Sequence, residues 1–430
     1  MPRPVTRKTL WIAVAASIAL TIVGVLLAVN LSSGEKRIQQ AVQGGYAVQD
    51  PRFLHVAGVL LGPPVVGGNR YRVLRNGDEI FPAMLDAIAG ARRSVSFETY
   101  IYWSGEIGRR FADALAERAR AGVPVHVLLD WVGSSKMDEA LLDEMRRAGV
   151  QVLKYHPPHW SHLGRLNNRT HRKLLIVDGR VGFTGGVGIA EKWTGHAQDP
   201  DHWRDTHVRV EGPVAAQMQA VFLDNWIKST GQVLVGDAYF PDIAPVGDGL
   251  AQVFSSSPTG GSESMELMML LAITSAQRTI RISNSYFVPN ELALKALTDA
   301  RARGVKVQII VPGPWIDTET VRSASRATWG RLLDAGVEIY EYQPTMFHCK
   351  VLVVDDYLVS VGSTNFDNRS FRLNDEANLN VYDAAFARQQ SAIFEEDRAR
   401  TQRVTRADWE RRPWTERLQE QAAALLDGQL

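Results

Sequence analysis

The 430-residue sequence has a single cysteine, Cys349, so no disulfide can close within the chain and no cysteine-rich metal site can be built. It has almost no excess of one charge. A formal net charge of +1 provides no global basic field of the kind that gathers nucleic acid. With 45% hydrophobic and 22% charged residues, it also lacks the composition of a disordered chain. The apolar patch from Phe53 to Val66 is too short to cross a membrane and is broken by His55, Gly58, Gly62, Pro63 and Pro64. A buried strand and turn is expected there, with an interfacial membrane contact as the alternative.

What is present begins with Leu10 to Leu31, which holds no charged residue. As a helix it would be about 33 Å long, enough to cross a hydrocarbon layer of roughly 30 Å. A membrane anchor is expected rather than a cleaved signal peptide, because the run is long and no small-x-small site follows it. Arg3, Arg7 and Lys8 precede the run and favour an N-terminus inside, with the rest of the chain outside the cytoplasm. Lys36 and Arg37, beside Glu35 on the other flank, pull against that orientation.

Beyond the anchor the chain repeats itself. Ala91 to Phe97 (ARRSVSF) is matched by Ala276 to Ile282 (AQRTIRI), and Ala121 to Val127 (AGVPVHV) by Arg303 to Ile309 (RGVKVQI). Ala148-Gly149-Val150 is matched by Ala335-Gly336-Val337, and His171-Arg172-Lys173 by His348-Cys349-Lys350. Strands alternate with helical stretches in the same order in both halves, which implies an α/β architecture with a mostly parallel sheet in each half. The expected organisation is an anchor over 1–36, a first lobe over 70–240, a Gly/Pro/Ser-rich linker over 241–264, a second lobe over 265–400 and a helical tail over 401–430. The first half carries an insert around Pro157 to Arg169, with His159, Trp160 and His162, that is expected to form either a lip of a site or a plain surface loop.

Each half contains H-x-K-x-x-x-x-D: His171, Lys173 and Asp178, then His348, Lys350 and Asp355. Alternate residues of a strand share a face, so each half presents an imidazole and an ammonium side by side. That set suits phosphodiester chemistry without a metal or cofactor. A neutral imidazole attacks phosphorus, a protonated one serves the leaving alcohol, and lysines stabilise charge on the phosphate oxygens. One copy of the motif is weak evidence, and its histidine would more often be structural. Two copies at equivalent places in a repeat are strong evidence. Asp178 and Asp355, at strand ends near turns, are expected to be structural.

From about Tyr71 to the end, the sequence resembles the phospholipase D superfamily, and within it the bacterial cardiolipin synthases. The resemblance rests on Asn167 to Lys173 (NNRTHRK), Trp203-Arg204-Asp205, Glu211-Gly212-Pro213, Gly362 to Ser370 (GSTNFDNRS), Asn374 and Glu376, together with the C-terminal stretch around Trp409 and Arg412. It implies two phospholipase D-like α/β lobes packed face to face and a phosphohistidine intermediate. It further implies His171 as nucleophile, His348 as general acid and then base, and carboxylates that cross between halves, with Glu376 on His171 and Asp205 on His348. Ser363, Asn365 and Gly186 are implied as phosphate-binding positions. The sequence departs from the family pattern at Gly188, where an asparagine is usual.

The resemblance leaves three reactions open: transfer of a phosphatidyl group between phosphatidylglycerol molecules, hydrolysis of a phospholipid, and cleavage of a nucleic-acid phosphodiester. The detailed phrases favour the first. The expected partners are phospholipids and the bilayer of a bacterial inner membrane, not nucleic acid. An inactive scaffold is disfavoured because both His-Lys pairs and both carboxylates are present. The Phe97 to Trp103 phrase is expected either to line the site or to pack in the core, and Trp315 and Ile316, in a proline-glycine loop, either to touch lipid or to be ordinary exposed residues.

Overall fold

The structure, a computed structural model, describes residues 6–31, 38–157, 167–258, 264–424 and 428. It opens with α1 (Arg7–Leu31), a helix long and apolar enough to cross a membrane, whose apolar window has no buried residue. Next comes α2 (Pro51–Leu61), where a strand was expected. Asp50 caps its N-terminus by accepting from Arg52 N, Pro51 opens its first turn, and Phe53, Ala57 and Leu61 are buried at helical spacing.

The first half runs β1 (Val66–Arg75), α3 (Asn76–Ala89), β2 (Val95–Thr99), α4 (Glu106–Arg120), β3 (Val125–Asp130), α5 (Glu139–Arg147), β4 (Gln151–Tyr155), β5 (Arg169–Thr170), β6 (Leu174–Val177), β7 (Val181–Gly185), β8 (Thr206–Glu211) and α6 (Val214–Thr230). The second runs β9 (Gly249–Ser256), α7 (Ser264–Ser275), β10 (Thr279–Asn284), α8 (Glu291–Ala302), β11 (Lys306–Pro312), α9 (Glu319–Asp334), β12 (Glu338–Tyr342), β13 (Lys350–Val354), β14 (Leu358–Gly362), α10 (Asn368–Arg372), β15 (Asn374–Tyr382) and α11 (Ala384–Arg398). The chain then adds β16 (Thr401–Val404), α12 (Arg406–Glu410) and α13 (Trp414–Ala424).

The fold is α/β with a repeated half, as the sequence implies, but apart from the short β5–β15 pair that links the halves, parallel pairing runs through three strands in each half. These are β2-β3-β4 and β10-β11-β12, each joined by crossover helices. The strands after each motif pair antiparallel, because β6–β7 and β13–β14 are hairpins with no room for a crossover helix. The two halves meet along β15-β9-β1-β8. Part of the stretch expected as a linker is thus β9, an internal strand: Ala251 and Val253 are buried in one core cluster and Phe254 in another. The tail contributes β16, paired with β12, before its helices. One core cluster joins Leu174, Ile176 and Val208 of the first half to Val351, Val359 and Val361 of the second, so inner faces of the halves pack against each other.

At the end of each motif, an aspartate closes the turn into the hairpin. Asp178 accepts from the backbone N–H groups of Arg92, Arg93 and Ser94, and Asp355 from those of Gln277, Arg278 and Thr279. Both adopt a left-handed φ of +55°, which aspartate tolerates better than most side chains. They tie strand to strand and lie away from the reacting groups.

Candidate active site

The two motif histidines converge on one cavity of about 370 Å³, whose wall includes His171, Lys173, His348 and Asn365. Each histidine is fixed twice by the other half. His171 N donates to Asp375 O at 2.9 Å, and the next residue, Glu376, takes His171 Nδ1 at 2.9 and 3.0 Å. His348 N donates to Arg204 O at 2.8 Å, and the next residue, Asp205, takes His348 Nδ1 at 2.7 Å. Backbone and ring are gripped by consecutive residues of the opposite half, so the rings have little freedom to turn. With Nδ1 engaged by a carboxylate, Nε2 is the ring nitrogen left for chemistry.

The lysines stand beside these rings. Lys173 Nζ donates to His171 O and Lys350 Nζ to His348 O, both at 2.8 Å. Lys350 also reaches Ser285 Oγ at 2.6 Å and lies 3.3 Å from the His348 ring nitrogens, just behind the cavity wall. The intervening Arg172 points away and is wholly buried, donating to Val221 O at 2.8 Å and Ser256 O at 3.2 Å, which locks the motif strand against α6 and β9.

Burial pushes His171 down to about 4 against the pull of Glu376, and pushes Lys173 down to about 7. Burial, and then Lys350, also push His348 below its ordinary value. Burial alone would raise the two carboxylates, but the histidines they hold, the nearby lysines and further hydrogen bonds together outweigh it, and both sit below the usual range. The site thus holds two anionic carboxylates and two imidazoles that favour neutrality. An anion in the cavity would draw protons back onto the imidazoles and ammoniums.

The phosphate-binding expectations divide. Asn365 lines the cavity, its Oδ1 accepting from Ser285 Oγ at 2.8 Å. Ser363 instead donates to Glu376 Oε2 at 2.5 Å and is fully buried, so it steadies the carboxylate. Gly186, at the equivalent place in the first half, lies under Asp205: a Cβ there would meet Asp205 Oδ1 at 2.2 Å, so only glycine admits the carboxylate. Tyr100 and Ile101 of the Phe97 to Trp103 phrase reach the cavity, while Phe97 and Tyr102 are core. The insert histidines and Trp160 lie outside the described residues, as do Arg3, Glu35, Lys36 and Arg37.

Sequence reasoning missed Trp193. Its Nε1 donates to Asp205 Oδ2 at 3.0 Å, and its ring meets that of His348 edge-on at 5.2 Å. Trp203 packs on the same imidazole at 5.5 Å. Trp193 also explains Gly188: a Cβ at 188 would lie 2.9 Å from Ile101 Cβ and 3.2 Å from Trp193 Cζ3, so no asparagine fits. The signal in the sequence was the missing asparagine itself. Arg169 and Arg369 were also missed as members of the cavity wall, although both belong to the quoted phrases.

The family model described as "Cardiolipin synthase, PLD-like domain" matches residues 84–226 and 269–398. The chain is 36% identical over 377 residues to the cardiolipin synthase of Geobacillus thermodenitrificans, covering 87% of this chain and 75% of that one. It is 36% identical over 361 residues to a probable cardiolipin synthase of Bacillus subtilis, covering 84% and 72%. In fold it is similar to the crystal structure of a phosphatidylserine synthase from Haemophilus influenzae, with a TM-score of 0.63 at 13% identity over 88% of this chain and 100% of that one.

Proposed function

The chain belongs to the cardiolipin synthase family of phospholipase D-like phosphatidyltransferases, and from that premise we propose that it joins two phosphatidylglycerol molecules into cardiolipin, releasing glycerol, through a phosphate covalently held on His171. The observation that carries this reading is the pair of cross-held imidazoles facing one cavity.

In the first step His171 Nε2 attacks the donor phosphorus and forms a P–N bond. The P–O bond to glycerol breaks, and the departing oxygen takes the proton from His348 Nε2. Glu376 stabilises the positive charge that His171 acquires, and Asp205 does the same for His348 while it is protonated. In the second step the terminal hydroxyl of the acceptor gives its proton to His348 as its oxygen attacks phosphorus, and the P–N bond breaks to return His171. Lys173, at the wall, and Lys350, behind His348, place positive charge next to the phosphate oxygens throughout. Asn365 adds an amide donor on one side.

In this reading α1 holds the protein in the bilayer by a single pass. Arg7 and Lys8 keep its N-terminus on the cytoplasmic side, which puts both halves outside the cytoplasm, where the substrates are bilayer lipids.

The test is incubation of the purified protein with phosphatidylglycerol in mixed micelles, with lipid products and the His171 peptide read by mass spectrometry. Cardiolipin with stoichiometric glycerol, and a phosphatidyl adduct on His171 after rapid quench, are the expected results. Phosphatidic acid without cardiolipin would replace this reading with hydrolysis, and an adduct on His348 would reverse the two histidine roles.

A further inference from the structure

We propose that Arg169 and Arg369 form a second anion subsite, which holds the phosphate of the acceptor lipid while the histidines work on the donor. The inference rests on the synthase reading, because a hydrolase has no second phosphate to place. Both arginines line the same cavity as His171 and His348. They come from different halves: Arg169 lies in β5, two residues before His171, and Arg369 in α10, four residues after Asn365.

They are also pinned to one short turn. Arg169 Nη1 donates to Asn168 O at 2.9 Å, while Arg369 Nη2 donates to both Asn167 O and Asn167 Oδ1 at 3.0 Å. Two guanidinium groups are therefore brought to the same corner by hydrogen bonds to adjacent residues. Burial lowers Arg169 from its ordinary value; Asp130 opposes it, and Arg369 adds a smaller repulsion. Two guanidinium groups at one corner of the wall offer an anion two sets of donors at once. Guanidinium forks match the geometry of phosphate oxygens.

Two carboxylates also line that wall, and Asp367 lies close enough to Arg369 to feel its charge. Asp367 Oδ1 accepts from Ser370 N at 2.7 Å as the cap of α10, and Asp317 accepts from Tyr286 OH at 2.7 Å.

The donor phosphate has its own place in this reading. It must sit at Nε2 of His171, where the two lysines and Asn365 already gather. Arg169 precedes His171 by two strand positions, an offset of about 6.6 Å along an extended backbone, which is the scale of a separate group. A glycerol bridge carries a phosphate on each end carbon, so an acceptor held by its phosphate at the arginines would extend its free hydroxyl toward the phosphohistidine.

The experiment uses the full-length protein in phosphatidylglycerol micelles containing n-butanol, an acceptor with no phosphate. Cardiolipin and phosphatidylbutanol then compete for the same intermediate. In Arg169→Gln and Arg369→Gln the cardiolipin-to-phosphatidylbutanol ratio is expected to fall at least tenfold, further in the double variant, with partial recovery in Arg369→Lys. A ratio within twofold of wild type overturns the proposal, whether total turnover falls or not, since the arginines would then serve the donor or the fold. For any Gln variant that makes neither product, the Lys variant is read by the same ratio. If the unmodified protein makes phosphatidylbutanol and no cardiolipin, the synthase reading itself has failed, and that is seen before any variant is compared.

Discussion

Replacing Glu376 by glutamine isolates what its charge does for His171. The amide is nearly isosteric. Its oxygen can still accept from Nδ1, and the Ser363 hydroxyl can turn to accept from its NH2, so the two contacts of the native carboxylate survive in form. What is lost is the negative charge facing an imidazole that becomes positive when it attacks phosphorus. For charge centres about 4 Å apart in a site of effective dielectric near 20, that attraction is about 4 kcal/mol. Lost from the transition state, it corresponds to a fall in kcat of about a thousandfold. The assay is glycerol release from phosphatidylglycerol micelles, with the thermal midpoint measured alongside. A slow enzyme of near-native stability is expected, and Asp205→Asn should behave alike through His348. His171→Ala and His348→Ala should cost more, because they remove the reacting groups. A loss under tenfold in Glu376→Gln, with the variant folded, would refute the view that this carboxylate stabilises the imidazolium.

The pH dependence follows from burial. His171 is lowered to about 4 and is neutral above that, so kcat/KM should rise as pH passes upward through about 4. The proton on His348, also lowered, is lost with rising pH, and Lys173 gives up its charge near 7, so the profile should fall by that point. A plateau extending to pH 9 would contradict this sign. Asp178→Ala removes the acceptor of three backbone N–H groups and should destabilise the fold by about 2–4 kcal/mol in denaturant titration, without changing kcat per folded molecule. A collapse of kcat at unchanged stability would make Asp178 part of the chemistry. Trp193→Phe keeps a ring against His348 but deletes the donor to Asp205, and kcat should fall about tenfold. Ser363→Ala, the corresponding loss on Glu376, is the comparison, and unchanged rates in both would show that the carboxylates need no such support.

How far the sequence discloses this molecule depends on the range of the interaction concerned. His171 and Lys173 are two apart in the short link from β5 to β6, and both line the cavity, so their shared direction could be read from local spacing alone. The Asp178 and Asp355 turns were legible for the same reason. The crossing of Glu376 to His171 spans 205 positions, and only resemblance to a family suggested it. The mostly parallel sheet was misjudged because an apolar run such as Leu174 to Val177 reads the same whether its neighbour is a crossover partner or a hairpin partner. The α2 helix was misread because the glycines and prolines after Leu61 were weighed over the Asp50-Pro51 start signal. Arg169, Arg369 and Trp193 reach the cavity by tertiary placement, which no local pattern encodes.

The two halves repeat the His-Lys pair but not its surroundings, and the differences are systematic. By sheet register Tyr100 occupies the place of Ser285, so Lys350 meets a hydroxyl at 2.6 Å where Lys173 lies over an aromatic ring at 5.6 Å. Gly188 stands where the second half has Asn365, its space taken by Ile101 and Trp193. The carboxylate on His348 is supported by an indole, and that on His171 by a hydroxyl. A transfer in two steps needs two unlike imidazoles at every moment, one without its proton to bind phosphorus and one with it to serve the alcohol. Identical halves would present identical proton affinities, leaving the choice of nucleophile to chance. The aromatic packing of Trp193 and Trp203 around His348, set against the polar, arginine-lined corner near His171, breaks that symmetry while the backbone repeat keeps the rings in register.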